Sequence, residues 1–364
     1  MPLGKKSRKC LRVLVRNSER SLRNQQMKRI GNLYEKICDI DNLYLADQKA
    51  GKGKSMTHCV ARHRKNQEEN LKKLHESLAI GSFTTSEYTT FRIFDPKERE
   101  IYRLPYYPDR IVHHAIMNIL EPIFVSIFTK DTYSCIKGRG IHGVVKNIRK
   151  ALSDVENTQY CLKLDIRKFY PSINHDILKA TIRRKIKDKR LLLLLDNIID
   201  SAPGVPIGNY LSQYFANLYL AYFDHWVKEN LKVRYYFRYA DDIVILDADK
   251  INLHNLLFEI RNYLWDNLRL EVKSNWQVFP VSSRGIDFVG YVFYHTHTRM
   301  RKRIKKKFCK KAYLLRKKGI AQQEYIQKLS PWIGWAKHCN GKHLLKKIGL
   351  NDHETEESKI AVNT

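Results

Sequence analysis

Asp241 and Asp242 are adjacent acids set between two strongly apolar segments, Val233 to Tyr239 and Ile243 to Leu246. Neighbouring carboxylates repel, and placing them between buried strands adds a desolvation cost. Such a pair either serves a cation or faces solvent in a turn. Asp165 closes a third apolar segment, Tyr160 to Ile166, in the same way, with Lys163, Arg167 and Lys168 beside it. Three carboxylates from two neighbouring strand ends can hold two Mg2+ ions roughly 3.5–4 Å apart, with Mn2+ as a substitute. One ion would activate a 3′-hydroxyl and the other would steady a pyrophosphate leaving group. Mg2+ needs few carboxylates when substrate phosphates complete its shell, so three acids suffice. The nearby lysines and arginines can neutralise charge developing on a triphosphate.

The elements that must position these acids follow from pattern. A helix is expected from about Leu33 to Gln48, with Leu33, Ile37, Ile40 and Leu45 near one face. Gly51-Lys52-Gly53-Lys54-Ser55 ends it. A phosphate-binding P-loop would need glycine where Gln48 stands, so this stretch reads as a turn. Phe91 to Phe94 and Glu100 to Leu104 alternate around Asp95-Pro96-Lys97-Glu98, a hairpin signal. Asp109 reads as the N-cap of a helix carried by Ile111, Val112, Ala115, Ile116, Ile119 and Leu120 as far as Glu121-Pro122. A second helix is expected from Gly143 to Asp154, and another from about Asn174. The loop Gly204 to Asn209 feeds an apolar helix through Leu211, Phe215, Leu218, Tyr222 and Trp226. A helix near Leu253 to Leu264 and strands near Arg269 to Lys273 and Phe288 to Tyr294 complete an α+β core.

Charge bounds the partners. The chain has 364 residues, with 67 lysines and arginines against 37 acids, a formal net charge of +30. That points to a polyanion: nucleic acid first, an anionic membrane surface second. The first thirty residues are basic and read either as an arm over phosphates or as a solvated tail. From Arg299 to Lys318 the chain is densely basic without an acid. Leu314, Leu315, Ile320, Ile326, Leu329, Trp332, Ile333 and Trp335 make this region a small helical domain. Asn351 to Thr364 is polar and acidic, and reads as a disordered tail. No apolar run approaches the ~18–20 residues of a membrane span. Seven scattered cysteines without a C-x-x-C argue against a disulfide framework or a cysteine zinc site and fit a reducing cytoplasm. His58, Cys59 and His63 lack a fourth ligand and metal-site spacing.

Tyr239-Ala240-Asp241-Asp242 resembles the Tyr-x-Asp-Asp box of reverse transcriptases. Leu164-Asp165-Ile166-Arg167-Lys168-Phe169-Tyr170 resembles their first catalytic motif. The resemblance runs in order from about residue 30 to 340. Asp109 to His114 and Tyr133 to Gly140 are similar to finger motifs, Lys273 to the lysine of the motif after the catalytic hairpin, and Phe288-Val289-Gly290-Tyr291 to the primer grip. It implies a right-hand polymerase: a basic arm over 1–30, fingers over 31–160, a palm of antiparallel sheet and helices over 161–295 with finger-side insertions, and a short basic helical thumb over 296–350. It implies Asp165, Asp241 and Asp242 as catalytic metal ligands, with Ile166 in the metal site. Phe169 and Tyr170 would lie at the nucleotide, Tyr170 where the family places an aromatic gate that excludes a 2′-hydroxyl and so favours dNTPs. Arg99 and Arg103 both lie on the hairpin where the family grips the triphosphate, and the register leaves the choice open. Lys273 would also serve the nucleotide site. Tyr239, Phe288, Gly290, Arg301, Arg303, Lys305 and Lys306 would contact nucleic acid, the thumb residues through phosphates.

The loop before the apolar helix separates subfamilies. Most reverse transcriptases carry Gln-Gly-x-x-x-Ser-Pro there. This chain reads Ile207-Gly208-Asn209-Tyr210-Leu211-Ser212-Gln213. The pattern resembles the enzymes of diversity-generating retroelements, which copy a template-repeat RNA into cDNA with errors concentrated at template adenines. That resemblance implies Ile207, Gly208, Asn209 and Gln213 at the nascent pair, template RNA and RNA–DNA duplex as partners, and a pentameric accessory variability protein. It also implies a cytoplasmic enzyme encoded by a bacterium or phage. An isoleucine beside the nascent pair offers only packing where glutamine would hydrogen-bond, which lowers discrimination. About 70 residues follow Tyr294, enough for a thumb and not for an appended maturase or endonuclease domain. The alternatives are another bacterial reverse transcriptase, of retron, phage-defence or group II intron type, or a non-catalytic RNA-binding scaffold.

Overall fold

The computed structural model describes residues 29–54, 56–94 and 98–350. The basic arm as far as Lys28 and the tail from Asn351 lie outside the described residues. The chain divides into two units. One comprises residues up to Tyr88, Leu104–Ile119 and His175–Ser201; the other comprises Thr89–Arg103, Leu120–Asn174 and the chain from Ala202 onward.

The first unit is helical, with α1 (Tyr34–Cys38), α2 (Ile40–Gly51), α3 (His58–Lys65) and α4 (Gln67–Ile80) ahead of α5 (Ile111–Val125), which begins in it. The expected helix over 33–48 is broken at Asp39, whose ψ of 133° is extended and whose carboxylate accepts from Asp41 N at 2.8 Å. The aspartate competes with the helix for a backbone donor and wins, so one helix becomes two. Asp109 does not cap α5. It is fully buried and accepts from Ser86 N at 2.9 Å, and α5 runs on through Pro122. His63, one of the trio considered as ligands, stacks on Tyr107 and pairs with Asp47 at 3.3 Å.

The second unit holds the sheets. Strands β3 (Tyr160–Asp165), β4 (Tyr235–Tyr239), β5 (Asp242–Asp247) and β6 (Gln277–Pro280) form an antiparallel sheet in the order β4-β5-β3-β6. Helix α6 (Gly140–Leu152) shares one core with Cys161, Phe237, Val244, Leu246 and Phe279. Leu162, Leu164, Ile243 and Ile245 alternate with these and are also buried. Both faces of the sheet are therefore covered, which is why β5 is apolar at four successive positions rather than at every second one.

The apolar segment after the 204–209 loop is two helices, α9 (Tyr210–Tyr219) and α10 (Ala221–Glu229), divided at Leu220; α7 (His175–Arg183) and α8 (Lys189–Asp200) belong to the helical unit. Helix α11 (Lys250–Leu268) ends where Arg269 turns left-handed at φ 53°. The expected strand over 269–273 reduces to one bridge between Val272 and Ile166, and the sheet edge is taken by β6 instead. The expected strand over 288–294 is two, β7 (Ile286–Phe288) and β8 (Tyr291–Phe293), joined at Val289-Gly290 with φ of 41° and 87°. β9 (Thr298–Met300) completes this second sheet.

After the short α12 (Val281–Arg284), the basic region forms α13 (Lys302–Lys317), α14 (Gln322–Lys337) and α15 (Lys342–Lys347). Phe308, Ala312, Leu315, Tyr325, Leu329 and Ile333 close a core between them, while Leu314, expected inside, is exposed. The molecule is thus α+β. Among the described residues no helix is long and apolar enough to cross a membrane.

Candidate active site

The antiparallel register of β3 and β5 sets Asp165 directly opposite Asp242. On the other side of β5, Tyr239 pairs with Asp242, so Ala240 and Asp241 form a two-residue turn. Ala240 has a φ of 54°, a conformation L residues avoid. All three acids are half-buried. Asp241 is pushed up by burial first, then by Asp165 and Asp242. Asp242 is pushed up by burial and by Asp165, against Lys163, Lys273 and Arg301, which favour its charged form.

Asp165 Oδ1 is buried with no donor among the described residues, while Oδ2 pairs with Lys273 Nζ. Crowded carboxylates with an orphaned buried oxygen fit a divalent cation, which would supply the charge the protein withholds. Among the described residues no group of three or more histidine, cysteine or acidic side chains is arranged to hold a metal ion by itself. An open donor set is the kind that substrate phosphates complete. Ile166 is fully buried and aliphatic, so only its carbonyl oxygen could join such a site.

Lys273 reaches Asp165 because the chain after α11 returns alongside β3. Arg167 N donates to Glu271 O and Lys273 N to Asp165 O, both at 2.8 Å. Its ammonium therefore sits on a metal-ligand candidate, not merely near the nucleotide as the sequence implied.

Phe169 is buried and meets Tyr170 edge-on, ring centroids 5.5 Å apart. The Tyr170 phenol is pushed up by burial and by the neighbouring Cys135 and Asp241. The loop 204–209 supports it from behind: Val205 N donates to Tyr170 O at 2.9 Å. At Gly204, with φ of 61°, a Cβ would lie 2.5 Å from the same oxygen. The loop then reaches the hairpin β1 (Thr89–Ile93) and β2 (Arg99–Arg103), where Ile207 O accepts from Tyr102 N at 2.9 Å. A Cβ on Gly208 would lie 2.3 Å from Tyr102 O. Ser212 Oγ ties the loop's start to α9 by donating to Pro206 O at 2.6 Å. Asn209 is buried at the start of α9 and Gln213 is exposed. Ile207 is half-buried. Arg99 and Arg103 fall on the same face of β2 and are both exposed, so strand alternation does not choose between them.

Two residues expected to contact nucleic acid are buried. The Phe288 ring is fully buried in the core shared with α6. Gly290 is buried too: a Cβ there would lie 2.4 Å from the Trp335 ring, and its carbonyl accepts from Arg301 N at 2.9 Å. A Phe-x-Gly pattern cannot tell a turn packed on an indole from one offered to a ligand. Tyr239 is half-buried against the same core. Arg301 pairs with Asp287, and Arg303, Lys305 and Lys306 are exposed on α13.

Arg238 escaped the sequence reading. It is fully buried in β4, and its guanidinium grips the fully buried Asp224 of α10 through Nε at 2.7 Å and Nη2 at 2.5 Å. Tyr236 and Thr132 hydroxyls donate to the same carboxylate at 2.6 and 2.8 Å. Nη1 donates to Asn217 Oδ1 at 3.2 Å and to Ala240 O at 3.0 Å. The Ala240-Asp241 turn thus rests on a buried ion pair. The available signal was an arginine inside an apolar strand and an aspartate inside an apolar helix.

Breaking one side of such a pair leaves a buried charge uncompensated. Arg238→Met should cost about 3–5 kcal/mol in urea unfolding, and adding Asp224→Leu should restore much of it. Equal stability of the single and double variants would contradict the pairing.

The model of the family described as Reverse transcriptase (RNA-dependent DNA polymerase) matches residues 96–293, just over half of the chain. Protein YkfC of Escherichia coli K12 is 25% identical over 248 residues, 55% of this chain and 65% of that protein. Group II intron-encoded protein LtrA of Lactococcus lactis subsp. cremoris is 25% identical over 181 residues, 46% of this chain and 30% of LtrA. The chain therefore spans less than two thirds of either relative. Telomerase from Candida tropicalis, solved with a fragment of telomeric RNA, aligns with a TM-score of 0.48 at 13% identity over 77% of this chain and 57% of that one. The matched span contains Asp165, Asp241, Asp242, Tyr170 and the 204–209 loop, and the chain belongs to the reverse transcriptase family.

Proposed function

We propose that the protein is an RNA-directed DNA polymerase whose fidelity is relaxed at the nascent pair, as in diversity-generating retroelements. The observation that carries the polymerase reading is the register that sets Asp165 against Asp242 with Asp241 in the adjoining turn. Asp165, Asp241, Asp242 and the Ile166 carbonyl would hold two divalent ions, Mg2+ with Mn2+ as substitute. These ions supply activation of the 3′-hydroxyl and charge stabilisation on the leaving pyrophosphate.

The chain's own side chains do the rest. Tyr170, backed by Gly204 and Val205, presents a fixed phenol ring under the sugar and so excludes a 2′-hydroxyl. Lys273 holds Asp165 in place through an ion pair. Arg99 or Arg103 would grip the triphosphate. In this reading the hairpin and neighbouring helices act as fingers (31–160), the β4-β5-β3-β6 sheet as palm (161–295), and α13 to α15 as a phosphate-binding thumb (296–350). The basic arm over 1–30 would add phosphate contacts.

The mutagenic part of the proposal is supported by Ile207 and the Ile-Gly-Asn-x-x-Ser-Gln loop. Ile207 brings no hydrogen-bonding group to the pair, so a mismatch loses little relative to a match. Template-repeat RNA and a pentameric accessory protein belong to this reading through the loop's resemblance. A second reading, a reverse transcriptase of group II intron type, is favoured by the similarity to LtrA.

Primer extension on an RNA template tests the activity. Asp242→Asn should lower the rate by about 10³-fold, the scale of several kcal/mol supplied by a metal ion. Equal activity would remove the polymerase reading and leave a binding scaffold. Sequencing cDNA made by the wild type and by Ile207→Gln tests the subtype. Fewer errors opposite template adenine are expected in the variant; identical error spectra would favour the intron-type reading.

A further inference from the structure

Helix α11 carries two apolar faces. Leu253, Leu256, Leu257, Ile260, Leu264 and Leu268 are buried, and the helix packs on β3, β5 and β6. Ile251, Phe258 and Trp265 stand on the opposite side and are 70%, 65% and 51% exposed. A helix at the surface of a folded unit buries one stripe and is ordinarily polar on the other side. The three exposed side chains are therefore a second stripe that the fold does not use. Each follows the last by seven residues. At the helical rise they lie about 10 Å apart, along a line of about 20 Å.

Charge marks the same face. Glu259 and Asp266 each follow a stripe residue by one position, so both line one edge of the stripe. Both are exposed and make no ion pair among the described residues. In α11 two acids balance two basic residues, Lys250 and Arg261, whereas the whole chain has 67 basic residues against 37 acids.

We propose that this face of α11 docks one amphipathic helix of a partner protein, with apolar residues at heptad spacing and lysines or arginines along the edge that meets Glu259 and Asp266. A period of seven is the repeat by which one helix keeps its seam on another. Unpaired acids beside the seam select basic residues on the facing helix, as charges flanking a coiled-coil seam do. The same acids repel phosphates and anionic headgroups, which sets this face apart from the basic surfaces of the chain. A second copy of the chain would bring its own net charge of +30 against the first. A row of exposed apolar groups rimmed by polar ones has the composition of a protein-docking patch. The docking does not depend on the polymerase reading.

Fluorescence anisotropy of a labelled helical peptide of about three heptads, with leucine at a and d and lysine at e and g, tests this on the full chain. The peptide should bind the wild type. Phe258→Ser, at an exposed position, should weaken binding about tenfold, the scale of one lost apolar contact. Its thermal unfolding should match the wild type, which separates loss of docking from loss of fold. Glu259→Lys combined with Asp266→Lys should weaken the lysine peptide by a similar factor and strengthen the same peptide with glutamate in place of lysine. Absence of binding, or equal binding by the wild type and Phe258→Ser, would overturn the site. Vesicles of phosphatidylcholine and phosphatidylserine that bind the wild type and not Phe258→Ser would give the stripe to a membrane. A dimer in sedimentation that Phe258→Ser abolishes would give it to a second copy. Either result would overturn the partner helix.

Discussion

Three carboxylates held within one another's field are the constraint around which the second unit is organised. Repulsion and burial both disfavour their charged forms, as the raised Asp241 and Asp242 record. The cluster persists because the sheet over-determines it. A one-residue slip of β3 against β5 would turn Asp165 and Lys163 together to the opposite face and set Leu164 or Ile166 against Asp242. The apolar alternation of Leu162, Leu164, Ile243 and Ile245 fixes that register. The strained Ala240 turn is held from beneath by Arg238, itself fixed by Asp224 and its hydroxyl donors. Cations partly offset the repulsion, with Lys273 on Asp165 and Lys163 and Arg301 near Asp242.

A second constraint is steric. The 204–209 loop passes so close to two backbone segments that glycine is required twice. At Gly204 the obstacle is the Tyr170 carbonyl and at Gly208 the Tyr102 carbonyl. The same loop donates to the first and accepts beside the second. Tyr170, Ile207 and the arginine-bearing hairpin are therefore linked through one short backbone path. A substitution at Gly204 or Gly208 that shifts this loop would move all three.

Much of this was legible in the sequence, and the failures have physical causes. The three acids, Tyr170, the 204–209 loop and the long apolar strands stand out because they break or sustain a period. The boundaries that failed are those decided by single side chains. Asp39 takes a backbone donor and splits a helix. Asp109 takes one from Ser86 instead of capping. Leu220 marks a break in a run that is apolar throughout. Phe288 and Gly290 match a motif, yet their burial depends on Trp335, whose approach no local pattern encodes. Arg238 was passed over because a buried arginine is recognisable only with its partner, and Asp224 lies fourteen residues away on another element.

In the proposed reading, the Asp165–Asp242 register builds a divalent-cation site. Mn2+ binding followed by electron paramagnetic resonance, on the full chain with template-primer and dNTP, tests it most directly. The wild type should take up Mn2+ that Mg2+ displaces, and Asp165→Asn should lose that uptake while keeping its template-primer. Equal Mn2+ uptake by the two proteins would contradict the account.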